Sequence, residues 1–330
     1  MKRRDHEASP PPNPPLSRGR EPRLETVAII GVGLIGGSLG MALRQRRVAG
    51  RVIGVARRRE TLEMAQQRGA IDRGTHDAAQ AVADADLVVL AAPVHAIIEH
   101  VGQLAARFRD GALVTDVGST KVEIMRAAAS LPAGIAFVGG HPMAGSEESG
   151  PGAARADLFE GAVWVLTPPP AGPKQVGAGR QSPPPYPPPR GGRGQSGGAA
   201  LATMEALVAA LGAQPLVLDA AEHDALVALT SHLPHLAAWA LVNAVSAAGS
   251  GRAALARLIG PGFRDTTRIA QAEPAMWRDI LLTNRARLLP AMAALRGELD
   301  RLERALADGD ADALATILDQ AAQARRELSG

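Results

Sequence analysis

A short β-branched run, Thr26-Val27-Ala28-Ile29-Ile30, passes directly into Gly31-Val32-Gly33-Leu34-Ile35-Gly36, and Leu39, Leu43 and Val48 then recur at helical spacing. This strand, glycine turn and helix restrict the chain more than any other segment. Gly31 permits the tight turn, Gly33 lets backbone N–H groups approach a pyrophosphate, and Gly36 lets the helix pack on the strand. The helix start, with Leu34 and Ile35 in its first turn, offers partial positive charge to phosphates. The context predicts a dinucleotide site formed by Gly31, Gly33, Leu34, Ile35 and Gly36.

Further strands are predicted at Val52–Val55, Leu87–Pro93, Ala112–Val117 and Ala136–Gly139, with helical segments between them. Buried strands alternating with helices imply a doubly wound parallel sheet of the Rossmann type. Ala92 and Pro93, at the end of one such strand, fall where open sheets bind ligands and join the expected cofactor contacts. Residues 1–24 are rich in proline and read as a disordered tail. Residues 168–200 hold ten prolines and eight glycines and read as a flexible insert within a nucleotide-binding domain of residues 25–220. From 221 to 330 strand signals vanish, and Ala/Leu-rich helices predict an all-helical domain whose excess apolar faces pack against a second subunit.

Charge argues against nucleic acid. The formal net charge is +3, but residues 1–24 hold six Lys/Arg against three acids, and residues 168–200 hold four against none. The rest carries 26 basic against 30 acidic residues, and aromatic residues are only 2% of the chain, so stacking platforms are lacking. No run of about 18 apolar residues is evident and no apolar stretch follows the basic N-terminus, so neither a membrane span nor a secretory signal is expected. Zero cysteines exclude disulfides and thiolate metal sites, no metal site is expected, and a cytoplasmic location fits.

Polar residues gather in four places where a packed core would not put them. Gly139-Gly140-His141-Pro142-Met143-Ala144-Gly145-Ser146-Glu147 sets a histidine on a Gly/Pro-bounded turn at a strand end, with an ordinary pKa near 6.5 suited to taking a proton at neutral pH. Thr115-Asp116-Val117-Gly118-Ser119-Thr120-Lys121 ends another strand. Thr230-Ser231-His232-Leu233-Pro234-His235 opens the helical half, and Gly262-Phe263-Arg264-Asp265-Thr266-Thr267-Arg268 precedes Met276-Trp277-Arg278-Asp279. Taken singly, Ser119 could cap a helix, His232 or His235 could do the same, and Arg264 or Arg268 could be solvated surface charges.

In this order the clusters resemble the prephenate/arogenate dehydrogenase family of tyrosine biosynthesis, over roughly residues 26–328. The resemblance implies a cyclohexadienol substrate, prephenate or arogenate, oxidised by hydride transfer with loss of CO2. It gives His141 the role of base on the ring hydroxyl, with Ser119 as second hydroxyl partner. Arg268 would hold a carboxylate, His232 would face the side chain, Ser146 and Glu147 would line the pocket, and Asp265 would gate it. It also implies a homodimer. Another nicotinamide dehydrogenase with a helical second domain is the rival enzyme reading, and a nucleotide-sensing module the non-enzymatic one.

The nicotinamide carrier depends on the end of the second strand, where an acid would accept the ribose hydroxyls of NAD. Here Val55 is followed by Ala56-Arg57-Arg58-Arg59, without an acid before Glu60. Arg57 and Arg58 are expected to favour NADP, with NAD still possible.

Overall fold

The structure is a computed structural model that describes residues 24–145, 148–169, 197–247 and 252–328. Residues 1–23 of the expected tail and most of the expected insert, at 170–196, lie outside the described residues, whereas Leu24, assigned to the tail, is the buried first residue of the first strand. Eight strands form one sheet: β1 (Leu24–Ile30), β2 (Ala49–Val55), β3 (Arg73–Thr75), β4 (Leu87–Leu90), β5 (Leu113–Asp116), β6 (Ala136–Pro142), β7 (Val163–Thr167) and β8 (Gln214–Val217). Their order is β3-β2-β1-β4-β5-β6-β7-β8. The chain reverses winding direction between β1 and β4, where Ile30 pairs with Leu90, and this crevice at the strand ends is where such sheets take ligands.

β1 shows why the sheet is buried on both faces. Val27 and Ile29 point into one core with α1 (Leu34–Gln45) and α6 (Gly197–Ala210), while Ala28 and Ile30 point into a second core with α4 (Val94–Leu104) and α5 (Val122–Ala128). Side chains alternate with a period of two, so a strand covered on both faces reads as continuous hydrophobic sequence. The second core also takes in Trp277 and Ile280 from α11 (Pro274–Thr283), joining the helical half to the sheet.

The fold departs from the sequence reading in four further respects. β7 runs antiparallel to β6, so the sheet is not wholly parallel. β3, three residues long, was not anticipated because so short a strand leaves no periodic signal. α6 begins at Gly197 and buries Ala200, so the flexible insert cannot extend to residue 200. The helix from Ala220 to Ala247 is also long and apolar enough, by length and composition alone, to cross a membrane, contrary to expectation. Its buried polar residues His223, Asp224 and His232 instead belong to a site at the sheet.

That long helix comprises α7 (Ala220–Val227), a π-turn at Ala228–His232 and α8 (Leu233–Ala247). Pro234 has no N–H to donate, so the helical ladder loses a bond beside the wide turn. Five more helices follow: α9 (Arg252–Leu258), α10 (Pro261–Thr267), α11, α12 (Arg285–Ala307) and α13 (Ala311–Glu327). Leu226, Leu229, Leu282, Leu289, Leu299, Leu306 and Leu318 on these helices are exposed.

Gly31 has φ +101°, and a Cβ there would lie 2.1 Å from the Ala91 carbonyl oxygen. A side chain is therefore excluded by both conformation and space. Gly31→Ala is expected to cost at least about 1–3 kcal/mol in urea unfolding and to weaken dinucleotide binding in a fluorescence titration.

Candidate active site

The dinucleotide crevice has the shape its sequence requires. A Cβ on Gly36 would sit 1.9 Å from the Gly31 carbonyl oxygen, so helix and turn touch through glycine alone, whereas the same position on Gly33 meets nothing within 4 Å. Gly33 is also the N-cap of α1 and supplies no capping side chain, so the N–H groups of the first turn, at Leu34, Ile35 and Gly36, face an open space suited to an anion. Ala92 and Pro93 lie across the crevice, Pro93 as N-cap of α4. These features fit a dinucleotide pyrophosphate.

At the end of β2, Arg57 and Arg58 are exposed, as a phosphate contact would need. Arg59 is committed elsewhere: its Nε donates to Glu63 Oε1 at 2.7 Å along α2 (Arg59–Gln67). The His76 Nδ1–H donates to the Ala56 carbonyl at 2.8 Å, fixing the start of this loop.

His141 lies within β6 rather than on a turn beyond it, opposite Val165 of the antiparallel β7. The residue before it, Gly140, is held at both its N–H and its carbonyl by a buried ion pair. Asp116 accepts from Gly140 N–H at 3.1 Å and from Gly118 N–H at 2.7 Å, and Lys121 Nζ donates to Asp116 and, at 2.6 Å, to the Gly140 carbonyl. Both charged side chains are fully buried. Burial pushes the Lys121 ammonium pKa down and the Asp116 charge opposes this. A Cβ on Gly140 would lie 2.5 Å from the Asp116 carbonyl oxygen, so only glycine lets β5 and β6 close on each other here.

The helical half reaches into the same site through α7. Asp224 Oδ1 accepts the Lys121 N–H at 2.7 Å and Oδ2 the Val122 N–H at 2.9 Å, capping α5 from another domain. Ser119, half-buried, is therefore not the cap of α5. Asp224 Oδ1 also takes the Nδ1–H of His223 at 2.8 Å, and His223 Nε2 lies 2.9 Å from His141 Nδ1. With both Asp224 oxygens accepting, His223 donates through Nδ1 and accepts at Nε2. His141 then donates through its Nδ1–H and keeps a lone pair on Nε2. Burial, then His223, Lys121 and His232, hold the His141 pKa well below its ordinary value, so the ring is neutral.

His232 is also brought to this site, almost wholly buried at the end of the π-turn. Its ring stands edge-on to Trp277, while His235 stacks on the same indole at a centroid distance of 3.7 Å. Asp265 on α10 and Arg268 in the turn after it are exposed on the helical side. Ser146 and Glu147 lie outside the described residues.

His223, Asp224, Asp116 and Lys121 were not singled out from the sequence as site residues. A usable signal for the first two existed: Glu222-His223-Asp224 is the densest group of ionisable residues in an otherwise Ala/Leu-rich helix. Its placement against α5 is long-range and leaves no local trace.

A two-domain dehydrogenase with a nicotinamide dinucleotide crevice beside a cluster of buried histidines is the class that this fold and site define. Comparison with known proteins narrows it. A family model described as "Prephenate dehydrogenase, nucleotide-binding domain" matches residues 39–178, and one described as "Prephenate dehydrogenase, dimerization domain" matches residues 219–320. The chain is 33% identical over 292 residues to a Bacillus subtilis prephenate dehydrogenase, covering 88% of this chain and 72% of that one. Among solved structures, Aquifex aeolicus prephenate dehydrogenase in complex with hydroxyphenyl propionate and NAD+ superposes with TM-score 0.77 at 28% identity, covering 92% and 98% of the two chains. Synechocystis arogenate dehydrogenase superposes with TM-score 0.71 at 30% identity, covering 92% and 99%. The chain belongs to the prephenate dehydrogenase family.

The buried histidines make stability depend on pH. Burial is the main cause that lowers the His232 pKa from 6.5 to about 4; His141 shifts the same way. Between pH 6.5 and 4 the unfolded chain binds protons on these rings that the folded protein refuses, so stability is highest above that window and falls through it with acid. The loss for His232 alone is on the order of 3 kcal/mol across the window. Urea unfolding at pH 7 and pH 5 should show the decrease, and His232→Asn should reduce it.

Proposed function

We propose that this protein oxidises and decarboxylates prephenate to 4-hydroxyphenylpyruvate, with a nicotinamide dinucleotide as hydride acceptor, as a cytoplasmic enzyme of L-tyrosine biosynthesis. The observation that carries this reading is the hydrogen-bonded series Asp224, His223, His141, which ends in an unprotonated Nε2. That nitrogen takes the proton of the ring hydroxyl. As positive charge develops on His141, His223 and the Asp224 carboxylate lie in line to stabilise it. The bound dinucleotide supplies the hydride acceptor, and loss of the ring carboxylate as CO2 completes the aromatic ring. Ser119 serves as the second partner of the hydroxyl. Arg268 is assigned a substrate carboxylate because its planar fork matches such a group. His232, Ser146 and Glu147 meet the side chain, and Asp265 gates the pocket. His141→Asn should lower kcat by about 10² to 10⁴ and leave KM almost unchanged in a steady-state assay; a near-normal kcat would remove His141 from the role of base.

A second reading, arogenate as substrate, is supported by the likeness to Synechocystis arogenate dehydrogenase. Assaying both compounds side by side decides between the two by their kcat/KM values.

NADP is the proposed carrier. Exposed Arg57 and Arg58 and the acid-free Ala56 position would favour a 2′-phosphate, with charge-assisted hydrogen bonds of roughly 1.5–3 kcal/mol each. Ala56→Asp with Arg57→Ala should reverse the order of kcat/KM from NADP first to NAD first. A tenfold preference of the unaltered protein for NAD would refute the assignment.

The exposed leucines of α7 and α11–α13, together with the match to a dimerization domain, support a homodimer formed by the helical halves. Light scattering at micromolar concentration should give twice the chain mass of 34.1 kDa.

A further inference from the structure

Asn284 carries none of the sequence signals described above, yet it is 2% exposed and joins α11 to α12 at the centre of the site. Its Nδ2 lies 2.8 Å from the Asp224 carbonyl oxygen and 3.1 Å from His232 Nδ1. A backbone carbonyl can only accept, so the amide end turned toward Asp224 is the NH2 group. One of its hydrogens goes to that carbonyl and the other to His232, whose Nδ1 therefore accepts. A neutral imidazole that accepts at Nδ1 carries its proton on Nε2. Burial keeps His232 neutral at physiological pH, so the second nitrogen is a donor and nothing else.

The neighbouring histidines have the opposite polarity. His235 Nδ1 lies 2.9 Å from the Ser231 carbonyl, so it donates there and, when neutral, leaves an accepting Nε2. His141 also ends in an accepting Nε2, set through His223 by the Asp224 side chain. Asp224 thus fixes the proton of His141 with its carboxylate and, through Asn284, that of His232 with its carbonyl.

We propose that Asn284 is a positioning and specificity residue which holds His232 as an Nε2–H donor, and that this donor selects a 2-keto acid side chain over a 2-amino acid one. The selection rests on the assignment of a cyclohexadienol substrate above. A keto oxygen accepts from Nε2–H. An ammonium at the same carbon brings donors only and sets N–H against N–H in a buried pocket, which leaves the donor unsatisfied. Trp277, edge-on to the His232 ring at 5.8 Å, keeps it from rotating to offer the other nitrogen.

Two measurements test this separately. Long-range ¹H–¹⁵N correlation spectra of the histidine-labelled wild-type protein, without substrate, should show His232 protonated on Nε2 and bare on Nδ1 at pH 7.5, with His232→Asn giving the assignment. A proton on Nδ1 overturns the tautomer lock whatever the substrate is. In steady-state assays, Asn284→Leu should lower the ratio of kcat/KM for prephenate over arogenate by about tenfold or more, the effect of one buried hydrogen bond. It should also leave His232 as a mixture of tautomers in the same spectra. An unchanged ratio with a released tautomer overturns the selection. Turnover of neither compound by the wild type would refute the substrate assignment, while the spectra would still decide the lock.

Discussion

One buried carboxylate ties the two domains into a single site. Asp224 sits on the first helix of the helical half, yet its oxygens accept the backbone N–H groups of Lys121 and Val122 at the start of α5 in the sheet domain. An uncapped helix start leaves donors unsatisfied, and a carboxylate at that end is stabilised by the helix dipole as well as by the bonds themselves. Moving the helical half away from the sheet would expose both costs together. The contact therefore sets the distance between β6 and α7, and with it the 2.9 Å approach of His141 to His223.

A second buried group acts on the same histidine from below. Isolated charges in a protein interior are expensive, and an ion pair offsets this only when further hydrogen bonds engage its remaining atoms. Asp116 and Lys121 meet that condition at one residue, Asp116 taking the Gly140 N–H and Lys121 donating to the Gly140 carbonyl. The two peptide groups flanking Gly140, the second of them joined to His141, are thus fixed. The arrangement resembles a clamp more than a catalytic group, because neither side chain has any exposed surface. Its positive end also contributes to keeping His141 neutral.

The aromatic residues are few and concentrated. Two of the three tryptophans, Trp239 and Trp277, pack edge to face beside His232 and His235, and the Trp239 Nε1–H donates to the Ala270 carbonyl. The large rings therefore limit the rotation of the histidines, where small Ala-rich helices would leave them loose. On α12 and α13 the exposed leucines Leu289, Leu299, Leu306 and Leu318 stand instead among charged residues, away from these rings.

The sequence by itself determined the nucleotide-binding half. Gly31, Gly33 and Gly36 form a short motif between a strand and a helix, and the alternation of buried strands with helices is a local pattern, so both can be read without coordinates. The residue type and neighbourhood of His141 were legible for the same reason, as was the switch from strands to helices near residue 220. Only the tertiary structure decided that β7 runs antiparallel, that His141 lies inside a strand, and that Asp116 and Lys121 hold its peptide. It alone brought His223, Asp224 and Asn284 to the site, from 82 to 143 positions beyond His141. Such contacts join elements whose individual sequences are ordinary helix, and the protonation of each histidine depends on which obligate donor or acceptor it meets across the domain boundary, a property no local pattern encodes.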